Sequence, residues 1–150
     1  MTNIKEGASY VPTINFARVV NFSNPDQPGL EDFGEISMTG DNGASFYTRV
    51  DWHGPEGPRT WGDGRTFTVG SESTIELRKY IDVAARAPAS RLLLVNAEGE
   101  FSEDCLNNTA FPFFGRLILD CLHRSEYAMS QEYAFRAAQL SMEAQAMAEG

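Results

Sequence analysis

Between Trp52 and Arg65 the chain gathers two tryptophans, a histidine, two arginines and an aspartate: Trp52, His53, Arg59, Trp61, Asp63 and Arg65. Guanidinium forks pair with phosphate or carboxylate, and indole rings stack on bases and cations. Those are the parts of a site for a small anionic, ring-containing ligand of nucleotide-like chemistry. Arg59, Trp61 and Arg65 are its candidate ligand-binding residues. The blander reading, and the favoured one, has both tryptophans packing over one end of a sheet while the arginines pair with local acids. Gly54, Gly57, Gly62 and Gly64 match neither the P-loop nor the dinucleotide fingerprint, and no lysine follows them.

Other constellations are weaker. Asp51 and His53 alternate on an expected strand, and His123 and Glu126 stand three apart. Each pair supplies two ligands, whereas a zinc site needs three or four, so no metal is expected and each histidine reads as solvated. Cys121 lies two residues from His123, on roughly opposite helix faces, and Cys105 lies among acids that raise a thiol pKa. Neither resembles a nucleophile. The carboxylate pairs Glu31-Asp32 and Glu103-Asp104 sit in turn-like segments and read as solvated charge. No catalytic residue and no cofactor emerge, and an enzyme is the lesser expectation.

The acids carry a reading of their own. Twenty-one Asp and Glu against twelve Lys and Arg give a net charge of −9, with a sequence pI near 4.6. That balance argues against a direct nucleic-acid binder, whose affinity comes from cations neutralising phosphates. Glu98, Glu100, Glu103 and Asp104 cluster within seven residues. They are the candidate partner-binding surface for a protein with a basic face. Met1 to Tyr10 has no apolar leader pattern, and no apolar run approaches the roughly 20 residues needed to span a bilayer. A cytoplasmic protein with reduced cysteines and no membrane partner is expected.

The elements that hold these residues read as β first and α last. Thr13 to Phe22 alternates, with Ile14, Phe16, Val20 and Phe22 on one side and Arg18 interrupting them. Phe33 to Thr39 and Ser45 to Trp52 flank Gly40-Asp41-Asn42-Gly43, whose Asn-Gly pair predicts a type I′ hairpin. His53 to Arg65 is a loop of thirteen residues with four glycines and two prolines, followed by a short strand over Thr66 to Val69. Ser73 and Glu76 fit a capping box, which predicts a crossing helix running to Pro88. Arg91 to Asn96 is a continuous apolar run, expected as a central strand, and Glu98-Gly99-Glu100 turns the chain.

From Phe113 the pattern is helical, with Phe114, Leu117, Ile118, Cys121 and Leu122 in one stripe and a break near His123 to Glu126. Glu132 to Ala148 is rich in Ala, Gln, Glu and Met, good helix formers with a thin apolar face. The whole reads as one α+β domain over residues 1–150: an antiparallel sheet from the N-terminal two thirds, one crossing helix and a helical C-terminal region. Residues 1–12 are expected to be flexible, and the terminal helix over 126–150 is expected at an interface, as in a homo-oligomer. The expected function is a noncatalytic acidic protein-binding module, an inhibitor or accessory protein that occupies a basic site. The alternative is the small-ligand binder built on Arg59, Trp61 and Arg65.

Overall fold

The structure, a computed structural model, describes residues 11–54, 56–57, 62–82, 87–88, 90–106 and 108–150. Nine strands and two helices are described: β1 (Pro12–Val20), β2 (Phe33–Gly40), β3 (Ser45–Asp51), β4 (Gly64–Val69), β5 (Ser73–Lys79), β6 (Ile81–Asp82), β7 (Ala87–Pro88), β8 (Arg91–Asn96), β9 (Gly99–Asp104), α1 (Pro112–His123) and α2 (Gln131–Glu149). The α+β expectation holds, with strands in the N-terminal part and helices at the C-terminal end. The chain divides into two compact units, Met1–His53 with Leu119–Gly150, and Gly54–Ile118.

The first unit contains the antiparallel sheet β1-β2-β3 with α2 laid along β1. Its hairpin forms where Asn42-Gly43 predicts it, but with different turn chemistry. Only Gly43 has positive φ, at 81°, while the Gly43 amide donates to the Gly40 carbonyl and the Gly40 amide to the Ala44 carbonyl. That is a three-residue loop with one left-handed glycine, the alternative to a two-residue turn that needs two. In β1, the register shifts between Ile14 and Phe16, leaving Asn15 as an extra residue. The bulge reverses the alternation after it. Ala17 and Val19 thereby share a face with Ile14, and Phe16 joins Arg18 and Val20 on the other. Arg18 stays beside Phe16 and Val20, 3.6 Å from Glu35 and with its guanidinium over the Phe22 and Phe33 rings.

Alanine and glycine let helix and sheet approach. Ala144 of α2 is 4% exposed and is the buried apolar residue among those described. A shallow groove of about 140 Å³ beside it is lined by Ala17, Val19, Gly34, Ile36, Ser141 and Gln145, among others. Ser130 caps α2 by accepting the Tyr133 amide at 3.2 Å, and the Glu126 carboxylate accepts the Gln131 amide.

The second unit contains the antiparallel sheet β4-β5-β8-β9. Arg91 to Asn96 is a central strand as expected, between β5 and β9. Ser73 to Lys79 is strand β5 rather than the start of a helix. The same residues satisfy both periods: Ile75 and Leu77 alternate with Glu76 and Arg78 as readily as they start a helical stripe. Pairing with β4 and β8 supplies partners on both edges and decides the matter. The pairing puts Ile75, Leu77, Leu92, Leu94 and Phe101 on one face. Residues 83–86, in the second half of the expected helix, lie outside the described residues.

Candidate functional site

The most developed cluster of side chains lies in the first unit, where the ends of all three strands meet. Asp32 immediately precedes β2, and its backbone ties both neighbours: its amide donates to the Val20 carbonyl, and its carbonyl accepts the Trp52 amide. Its carboxylate, in a residue only 4% exposed, accepts the Phe22 amide at 2.9 Å and the Ser23 amide at 2.8 Å. The Asn24 side-chain amide adds a longer contact at 3.4 Å. These bonds, that from Phe22 foremost, hold the Asp32 pKa below the ordinary carboxylate value against the opposing effect of burial.

His53 closes the cluster. Its Nε2 lies 3.4 Å from Asp32 Oδ1, and its Nδ1 lies 3.2 Å from the Ser23 hydroxyl. The ring meets the Phe22 ring edge-on, with centroids 5.8 Å apart. The backbone amide of His53 donates to Asp51 Oδ1, while Asp51 Oδ2 accepts Arg49 Nε at 2.7 Å. Burial raises the Asp51 pKa, but the Arg49 guanidinium and the His53 amide outweigh it and hold the carboxyl ionised. An exposed hydroxyl thus contacts an imidazole, and a buried carboxylate fixes that imidazole from the other side. Such an ordered chain can pass a proton between a ligand at Ser23 and His53.

Asp51 and His53 meet through the backbone amide of His53, with no third ligand. Among the described residues no group of three or more His, Cys, Asp or Glu could hold a metal ion. Glu31 is exposed as expected, and accepts Gln145 of α2. Asp32 is the exception to the solvated reading, because the turn it sits in wraps its carboxylate in backbone amides. Ser23 was invisible as a site residue because only the fold brings it to His53. The one available signal was the turn cluster Ser23-Asn24 followed by an acid, in a loop with amides to satisfy.

The remaining candidates do not converge. Arg59 and Trp61 lie outside the described residues. Arg65, on β4, is engaged by Asp63 through Nε at 3.1 Å and Nη2 at 2.8 Å, which favours its charged form. Trp52 is 75% exposed instead of packed over a sheet end. Glu98 lies in the β8–β9 turn, Glu100 and Asp104 are on one face of β9, and Glu103 is on the other. The four acids therefore form no single surface; they line an edge strand, where charge discourages pairing with another chain. Cys105 and Cys121 are both free thiols, and Glu126 caps α2 by accepting the Gln131 amide.

A second buried carboxylate is structural. Asp120, 6% exposed near the end of α1, accepts the Ser125 hydroxyl at 2.6 Å and the Tyr127 and Ala128 amides at 3.0 and 2.7 Å. The Ser125 bond first, and the Ala128 amide next, lower its pKa. It ties the end of one helix to the segment leading into the other.

No protein-family model and no curated protein matches the chain. Solved structures do, among them two oxidoreductase-named proteins. A "putative oxidoreductase" from Erwinia carotovora atroseptica SCRI1043 is 39% identical, with a TM-score of 0.83 over 91% of this chain and 41% of that one. A "putative oxidoreductase" from Thermotoga maritima, 16% identical with a TM-score of 0.75, shares the fold over 93% of this chain and 39% of its own. The chain spans about two fifths of the length of each. At 39% identity over nearly all of this chain, the Erwinia protein overturns the expectation of a noncatalytic acidic binding module or inhibitor. Solvated charge and a lone ligand loop had looked sufficient because the His53 cluster is assembled from three separate segments.

Proposed function

We propose that this chain works within an oxidoreductase and presents the Ser23–His53–Asp32 path to the reacting group of the substrate. The likeness to the Erwinia protein carries the redox reading. Oxidation of an alcohol to a carbonyl moves a hydride equivalent to an acceptor and a proton to a base, and reduction reverses both. The Ser23 hydroxyl is placed to meet a substrate oxygen and His53 to exchange the proton, while Asp32 fixes the imidazole from its other side.

The test is a redox assay on the protein isolated from its own source with whatever polypeptide accompanies it. Oxidised nicotinamide or flavin serves as acceptor and a panel of secondary alcohols as donors. Replacement of His53 by Gln is expected to slow turnover about 10²–10⁴-fold, the usual worth of a positioned acid–base group. Unchanged turnover in that variant would remove the proton path and leave the redox reading standing. Absence of turnover in the unaltered protein would remove the redox reading itself.

A further inference from the structure

Helix α2 carries two apolar stripes, and the sheet uses only one. The stripe centred on Ala144 faces β1 and the groove beside it. At 100° per residue, Phe135, Ala138, Met142 and Ala146 fall within a sector about 80° wide on the side away from Ala144. Phe135 is 71% exposed and Met142 74% exposed, although a polar residue at either position would serve a solvated helix equally well. Beside this second stripe lie Glu132, Arg136, Gln139 and Glu143, an ordinary polar flank.

We infer that the outer stripe of α2 is the docking surface for α2 of a second copy of this chain, packed antiparallel about a two-fold axis near Leu140. The self-complementarity of the stripe argues for that occupant. With the axis there, Phe135 of each copy meets Ala146 of the other, and Met142 meets Ala138, so each bulky side chain faces an alanine. The same register brings Arg136 of each copy opposite Glu143 of the other, on the flank that antiparallel helices share. Within one chain these two already stand 3.9 Å apart, so the guanidinium and carboxylate are oriented along that flank. Size and charge therefore agree on one register, as an isologous contact requires. A stripe of three turns is at the small end of stable interfaces, so the dimer is weak and concentration-dependent. The contact leaves the Ala144 face on β1 undisturbed and does not depend on the redox reading.

Sedimentation of the full chain over a wide concentration range tests this. The unaltered protein is expected to move from monomer to dimer, and Met142→Glu to raise the dissociation constant about tenfold or more. A thermal melt like that of the parent, expected for so exposed a position, shows that the variant is folded. A second test is independent of that variant. In a Cys105→Ser, Cys121→Ser background, Ala138→Cys mixed with Met142→Cys is expected to form disulfide-linked dimers faster than either alone. A chain that stays monomeric at every concentration overturns the proposal. So does a dimer that Met142→Glu leaves intact, or crosslinking no faster in the mixture than in the separate variants.

Discussion

Asp32 shows how a residue acquires a role that its sequence neighbourhood does not announce. Next to Glu31 in a turn it reads as one of two solvated acids, yet its carboxylate accepts two backbone amides and faces His53. Burying a carboxylate without such partners would be costly. With them it is held ionised. Asp51 and Asp120 are held ionised in the same sense by other partners. The consequence for stability has a definite sign. Each of the three has a folded pKa below the ordinary 3.8, so its contribution is fully present above that value and is lost as the pH falls through the folded pKa. Thermal melts between pH 7 and pH 2 should therefore show Tm steady down to about pH 4 and falling below it. Asp32→Asn and Asp120→Asn should each lower Tm at pH 7 and flatten the acid limb. An acid limb as steep as that of the parent would show that these carboxylates do not carry the effect.

The elements were legible wherever one period had no rival. Arg91 to Asn96 has no polar residue among its central four and no helical continuation, and it is the central strand β8. The break between the helices was legible too, because the apolar stripe stops at Leu122; the structure adds Arg124 in the left-handed region, at φ 53°. Ser73 to Lys79 was misread because a capping box and a period of two coexist there, and only long-range pairing with β8 chooses between them. The β1 faces were misread because a bulge at Asn15 has no local signature once the alternation before and after it looks continuous. The candidate site was least legible of all: its residues lie at positions 23, 32 and 53, on three segments that meet only through the sheet. One element carries a simple prediction. Ser130 accepts the Tyr133 amide at the start of α2, so Ser130→Ala should cost about 1 kcal/mol in denaturant unfolding. No loss would mean that Glu126, which accepts the Gln131 amide, is cap enough by itself.

For the molecule as a whole, the acidic balance said little about function, and the likeness to a solved protein said most. Net charge of −9 suits a soluble protein of any occupation, and the structure distributes the Glu98–Asp104 acids along an edge rather than on a docking face. Among the described residues no helix is long and apolar enough to cross a membrane. What remains is a sheet-and-helix framework shared with a protein over twice as long, and the Ser23–His53–Asp32 cluster in its first unit, which we propose moves a proton. Reduction of an added nicotinamide or flavin can be followed by absorbance as alcohol substrates are supplied to the protein purified with its native companions. Our account predicts that the cofactor is reduced in proportion to the substrate oxidised, and that His53→Gln slows the reaction without abolishing substrate binding. A flat trace with every acceptor and donor, from protein shown to be folded and accompanied, would contradict it.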